Sequence, residues 1–304
     1  MSKVCLVIIF NHKFDRNIEI LEKIYKERFE AIYYLVPFYD GNRENVIPVY
    51  ESSYQFQGYV AQGFKYFWHE KYTHYLFVAD DLLLNPLLDQ NNLFDFFEIE
   101  EKDSYCTTSQ PLGKIQFWNY KDRIFNGLNA FELYTGTIYK NEILESELAF
   151  KKIYELGYCE TEFIINPEQL LLYGHMSKKD IIKFIIDHPC HFIKLLNKIK
   201  LPYPIFGGYS DIFILHKNDI AEIVKTFGVF AAMRIFVELA VPTAMKLICA
   251  NLKENDGKGK LMWTTEDVKQ IEAAYNMELE KLIKKWPDDC NFIHPIKLSR
   301  WKYT

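Results

Sequence analysis

Unbroken apolar runs alternate with amphipathic stretches through the first quarter of the chain. Residues 4–10 form one such run, the pattern of a strand buried on both faces, and Asn11 and His12 close it with polar side chains. Over residues 15–28 the apolar positions Ile18, Leu21, Ile24 and Tyr25 share one face of a helix. Residues 32–36 are a second strand, ended by the segment 37–41. Strand, helix and strand at this spacing predict a βαβ unit and a parallel sheet. Residues 46–50 read as an edge strand, because Pro48 has no amide proton to give to a ladder. A helical pattern over 57–72 places Tyr59, Val60, Phe64, Phe67 and Trp68 on one side. It leads into the apolar strand 75–79, which stops at Asp80 and Asp81.

The pattern then becomes less regular. Residues 98–103 are acidic and read as a solvated turn; 105–108 and 133–139 read as strands. The loop 118–129 lies between those strands, and its Arg123 is expected to face solvent. A helix is predicted over 145–156, with Gly157 and Tyr158 as its stop. Residues 177–201 are basic and amphipathic, and Pro189 divides them into two short helices. Such a segment suits peripheral contact with a membrane surface or an acidic acceptor; a helical excursion packed on the core with solvated lysines is the preferred reading. Residues 227–250 form the longest apolar stretch. Arg234, Glu238 and Lys246 interrupt it, so it reads as a buried helix broken at Pro242 and not as a transmembrane span. Glu238 then needs a partner, and Arg234, one helical turn earlier, is the candidate. Thr264 to Asp267 has the form of a capping box for a helix over 264–286, and a tail follows to residue 304.

Composition narrows the class. Of 304 residues, 49% are hydrophobic and 16% aromatic, which predicts a densely packed globule, read here as a single domain over 1–304. A net charge of -5 gives no basic field for nucleic acid. The six cysteines form no Cys-x-x-Cys pair, so zinc sites and a disulfide framework are not expected, and reduced thiols suit a cytoplasmic protein. Met1 to Lys3 runs straight into the first strand with no sign of a signal peptide.

Two adjacent carboxylates at a strand end carry the first candidate chemistry. The ligand crevice of an open α/β sheet lies outside the carboxyl ends of its strands, and desolvated carboxylates call for positive charge. Magnesium or manganese, sharing its coordination with substrate phosphates, would supply it; the plain alternative is a solvated turn whose Asp side chains cap local amides. A second stretch, Gly207-Gly208-Tyr209-Ser210-Asp211, combines glycines that permit close backbone approach with groups suited to sugar hydroxyls. In the tail, His294, Lys297 and Arg300 lie in an aromatic setting; a docked terminus with a satisfied core histidine is the alternative there.

Together these segments resemble nucleotide-sugar-dependent glycosyltransferases of the GT-A fold. The resemblance rests on the βαβ-type N-terminal half, on Asp80-Asp81 continuing as Leu82-Leu83-Leu84-Asn85-Pro86, on Gly207 to Asp211, and on His294-Pro295-Ile296-Lys297. It implies a mixed, mostly parallel sheet flanked by helices, with a nucleotide-diphosphate sugar as donor and a glycan or lipid-linked acceptor. It further implies manganese or magnesium held by Asp81 and His294, with Lys297 at the diphosphate. Asn11, His12, Asp40 and Asp80 would lie on the nucleotide side. The family's strand ordinarily ends in Asp-x-Asp; here Ala79 stands at the first position and Asp80 at the variable middle. Asp211 is the first candidate for the base that accepts the acceptor's proton, and Glu238 the second. A nucleotidyltransferase or nucleotide-sugar hydrolase on the same sheet, or a non-catalytic nucleotide-binding protein, would also use these features.

Overall fold

In the computed structural model, which describes residues 3–115, 126–127, 130–131, 138–165, 186 and 198–303, the apolar runs become strands covered on both faces. Strand β1 (Val4–Ile9) is followed by helix α1 (Arg16–Tyr25), β2 (Ala31–Pro37) and β3 (Val46–Val49). Helix α2 (Gln57–Phe67) returns the chain to β4 (His74–Ala79), after which come β5 (Leu83–Leu84), α3 (Leu93–Phe97), β6 (Ser104–Thr107) and β7 (Gln110–Pro111). Helix α4 (Ser146–Glu155) and the short strands β8 (Ile164–Ile165), β9 (Ile199–Lys200) and β10 (Phe206–Gly207) precede β11 (Ile212–His216). Helices α5 (Ile220–Ala232) and α6 (Val237–Ile248) then lead to β12 (Leu252–Asn255) and β13 (Gly259–Leu261). Helices α7 (Thr265–Ala274) and α8 (Leu279–Lys284) precede β14 (Phe292–His294).

Among the described residues, seven strands form one sheet in the order β12-β6-β11-β4-β1-β2-β3. β1 is parallel to β2 and β4, β2 to β3, and β12 to β6, whereas β11 runs antiparallel to both its neighbours. This is the mixed, mostly parallel α/β sheet that the order of apolar runs predicts. Alternation along β1 explains its unbroken hydrophobicity. Cys5, Val7 and Ile9 enter a core shared with α2, α4, α5 and α6, whereas Val4, Leu6 and Ile8 enter one shared with α1, α3, α7, α8 and the C-terminal segment. Across the β4–β11 pair, Phe77 stacks on Phe213 with ring centroids 4.7 Å apart. Such a pair contributes about 0.5–1.5 kcal/mol beyond the area it buries. Among the described residues no helix is long and apolar enough to cross a membrane.

Helix α4 fills the predicted 145–156 and stops before Gly157, which is at a φ of 96°, but other helix ends depart from expectation. The break predicted at Pro242 lies at Arg234, whose φ is 62°. The Arg234 amide donates to the Ala231 carbonyl and the Ile235 amide to that of Phe230, the paired bonds of a Schellman turn, which end α5 without a glycine. Pro242 sits inside α6 instead. Its missing amide would orphan the Glu238 carbonyl, and that carbonyl accepts the Gly208 amide at 3.0 Å. Arg234 is therefore in a turn and not one helical turn before Glu238. The helix predicted over 264–286 begins at the expected capping box, with the Asp267 amide donating to Thr264 Oγ1. It is interrupted at Asn276 and Met277, both at positive φ. Helix α2 stops at Phe67 because Trp68 is extended, short of residue 72. Ile199–Lys200 is a strand paired with Ile164–Ile165, where the sequence suggests the end of a helix. Residues 177–197 apart from Ile186, Arg123, and the strand expected over 133–137 lie outside the described residues. At that strand's expected end, Tyr139 opens a 3₁₀ turn.

Candidate functional site

The sheet sets the location. From β1 the chain proceeds to β2 on one side, while β4 lies on the other, so strand order reverses between β1 and β4. The crevice outside the carboxyl ends of such strands is where an α/β sheet opens for a ligand. Asp80 and Asp81 follow β4 directly, and the two carboxylates divide the work. Asp80 is 4% exposed; its Oδ1 accepts the Asn11 amide at 3.1 Å and its Oδ2 the Asn17 side-chain amide at 3.3 Å. It fastens the end of β4 to β1 and α1. Asp81 is the member of the pair that reaches the surface, with its side chain 24% exposed.

His294 arrives from the opposite end of the chain through a second, small sheet. β14 pairs antiparallel with β5 and parallel with β13, so the strand immediately after Asp81 carries the tail beside it. The Ile296 amide donates to the Asp81 carbonyl at 2.6 Å, and the His294 carbonyl accepts the Met262 amide. These bonds set His294 Nε2 3.2 Å from Asp81 Oδ1. Asp211 joins because β11 is antiparallel to β4: its start meets β4's end, where the Ala79 amide donates to the Asp211 carbonyl. Asp211 Oδ2 lies 3.8 Å from His294 Nε2. Three predicted residues from distant segments are thus brought together. Glu238 is close enough for its charge to act on His294 and Tyr209.

The glycine pair is packed against a neighbouring segment of the chain. Gly207 and Gly208 are not at positive φ; Gly207 pairs with Gln110 in β7. A Cβ on Gly208 would lie 3.1 Å from Ser109 Cβ and 3.3 Å from the Thr108 carbonyl oxygen. The close approach is to the protein's own chain, and with Thr107 Oγ1 donating to the Tyr209 carbonyl at 2.6 Å it fixes the segment before Asp211.

Burial and mutual repulsion tune the charges. Burial first, then the charge of Asp81, push Asp211 up to about 6 against the opposing pull of His294 and Tyr209. The same two causes push Asp80 up to about 7 despite its bonds from Asn11 and Asn17. Burial alone would lower the His294 imidazole, but the short contact with Asp81 and the charges of Asp211, Asp81 and Glu238 outweigh it and raise its pKa. Burial and the neighbouring carboxylates keep Tyr209 protonated, with its hydroxyl toward Asp211. The carboxylates around His294 thus favour its protonated form, which would place positive charge beside Asp81 and Asp211.

Among the described residues no group of three or more His, Cys, Asp and Glu side chains is arranged to hold a metal ion by itself. Asp81 Oδ1 is nevertheless buried without a hydrogen bond of good geometry. Its 3.2 Å separation from His294 Nε2 is close to the spacing of about 3 Å between adjacent ligands of an ion with ~2.1 Å bonds. This pair fits a divalent ion that takes its remaining ligands from a substrate, and does not fit a self-sufficient site.

Of the other predicted residues, His12 follows β1, Asp40 follows β2 and Lys297 follows β14. His12 is exposed and meets Phe14 edge to face at 5.7 Å; Asp40 is exposed and paired with Lys13 at 3.0 Å, which lowers its pKa. Lys297 is exposed. Among the described residues, no hydrogen bond or ion pair joins His12, Asp40 or Lys297 to Asp81, Asp211 or His294. Sequence reasoning missed Asn17 and Trp263. Asn17 carries a signal, being a polar residue on the face of α1 that holds Leu21, whereas Trp263 is an exposed aromatic in a connection and carries none. Compared with known protein families, curated proteins and solved structures, the chain matches none.

Proposed function

We propose that the protein is a glycosyltransferase that moves a sugar from a nucleotide-diphosphate sugar to a hydroxyl of a glycan or lipid-linked acceptor, assisted by manganese or magnesium. The observation that carries this reading is the meeting of Asp81, Asp211 and His294 at the carboxyl edge of the sheet, each from a different part of the chain. A divalent ion between Asp81, His294 and the donor would offset charge on the departing diphosphate. Asp211 is the base. Raised to about 6, it is ionised near neutral pH yet more basic than an ordinary carboxylate. As the acceptor oxygen bonds to the anomeric carbon, the carbon–oxygen bond to the diphosphate breaks and its electron pair leaves with the nucleotide. The hydroxyl proton passes to Asp211. Tyr209 lies close enough to act on that carboxylate, and Glu238 is the second candidate for the base. The exposed Lys297 in the partly buried tail is assigned to the diphosphate, and Asn11, His12 and Asp40, beyond β1 and β2, to the nucleoside.

A thermal-shift screen of nucleotide sugars with and without manganese, followed by assay of transfer to added glycans, tests the reading. One nucleotide sugar should raise the melting temperature, more so with manganese, and give a glycoside product. Release of free sugar with no glycoside would assign the site to hydrolysis, and no stabilisation by any nucleotide sugar would overturn the proposal.

A further inference from the structure

Trp263 is 63% exposed, yet its backbone is held on both sides. Met262 before it is buried and donates its amide to the His294 carbonyl at 2.8 Å; Thr264 after it caps α7 through a reciprocal pair of bonds with Asp267. The indole meets the Tyr209 ring edge to face, with centroids 6.1 Å apart and planes at 86°. Tyr209 in turn lies against His294 at 5.5 Å and stacks on Phe292 at 6.1 Å. A large aromatic on a fixed backbone, two ring contacts from the imidazole, therefore keeps much of its surface in water beside a group of carboxylates. Leaving an indole exposed forgoes the favourable burial of an aromatic surface.

We propose that Trp263 is the platform for a pyranose ring of the acceptor glycan. The carbon-bound hydrogens on one face of a pyranose carry partial positive charge and meet the negative face of an aromatic ring, while the sugar's edge hydroxyls remain free to bond with carboxylates. A ring stacked on Trp263 would present hydroxyls toward Asp211 and Glu238, since Tyr209 bridges the indole to those groups. The acceptor is then a saccharide of at least one pyranose, and not a bare lipid alcohol or a protein side chain. This inference rests on the glycosyltransferase reading and adds the acceptor's class to it.

Two measurements separate this inference from that reading. The first uses methyl glucosides and galactosides as probes, without donor, and follows tryptophan emission in wild type and W263F. A saturable change in wild type that is lost in W263F is the expected result. The second uses the nucleotide sugar that gives turnover in the screen. W263A should raise the KM for a glycan acceptor tenfold or more while lowering kcat less than threefold, and W263F should restore part of the loss. An unchanged acceptor KM in W263A, with wild-type transfer intact, would overturn the platform and leave the glycosyltransferase reading standing. A tenfold loss of nucleotide-sugar affinity in W263A would assign the indole to the donor and also overturn it. Absence of any nucleotide-sugar binding in wild type would remove the broader reading, while the emission titration would still report whether Trp263 binds pyranosides.

Discussion

Adjacent aspartates at the end of β4 illustrate how position alone separates like residues, Asp80 turned inward to Asn11 and Asn17 and Asp81 toward His294. Asp80 keeps its proton to about pH 7 in the folded chain, against an ordinary value of 3.8. Unfolding in that interval releases the proton, so the stability contributed by the protonated form is complete below about pH 4 and declines as pH rises to 7. Asp80→Asn preserves shape and cannot ionise. Its stability relative to wild type should therefore grow between pH 4 and 7, at up to ~1.4 kcal/mol per pH unit. Urea unfolding of both proteins at pH 5 and pH 8 measures this, and an equal difference at the two pH values would show that Asp80 is not the proton holder. His74, buried and lowered to about 4, has the opposite slope, losing stability as pH falls; it is common to both proteins and cancels in the comparison. The proposed role of Asp211 as base is tested by activity. Asp211→Asn should cut kcat ~100-fold or more while nucleotide-sugar affinity stays within a few-fold, read by steady-state kinetics and calorimetry. Wild-type turnover in that variant would move the base to Glu238.

At the level of elements, the doubly buried strands, both ends of α4 and the capping-box start of α7 were legible, whereas the ends of α2, α5 and α7 were not. Doubly buried strands such as β1 and β4 advertise themselves as unbroken apolar runs, and α1 by its single apolar face. The turn between α5 and α6 carries no such mark, because its left-handed residue is arginine; Pro242, the visible breaker, is tolerated because Gly208 occupies the carbonyl it frees. A left-handed conformation costs a non-glycine residue about 1 kcal/mol, and glycine returns part of that gain as added freedom in the unfolded chain. Arg234 is exposed, so Arg234→Gly should stabilise by roughly 0.5–1 kcal/mol, seen as a higher urea midpoint with unchanged slope. A lower midpoint would mean that the arginine side chain contributes more than its backbone costs. The site follows the same division. Asp81 and Asp211 stand out locally as carboxylates at the boundaries of apolar strands. The proximity of His294 to Asp81 depends on pairing between β5 and β14, whose strands are only two and three residues long and leave little periodicity to read.

Across the whole molecule, the candidate site is the place where three separate parts of the chain are tied: the end of β4, the start of β11 and the C-terminal strand β14. None of them supplies enough ligands to hold an ion alone, and the His294 imidazole is held toward its protonated form by the carboxylates around it. In the proposed site a divalent ion would displace that proton and borrow oxygens from a diphosphate, so ion and nucleotide should bind with positive coupling, each raising the other's affinity by the same factor. Calorimetric titration of a nucleoside diphosphate with and without manganese should give a factor of ~5 or more in wild type. The affinity of manganese itself should rise with pH as His294 gives up its proton. Asp81→Ala and His294→Ala should each bring the factor close to one, because each would remove one of the two proposed protein ligands. In the presence of both ligands, hydrogen exchange should slow together at residues 79–84, 208–212 and 292–296, the three segments tied at the site. A factor near one in wild type, or a full factor in both variants, would separate Asp81 from His294 and leave the glycosyltransferase reading without its physical support.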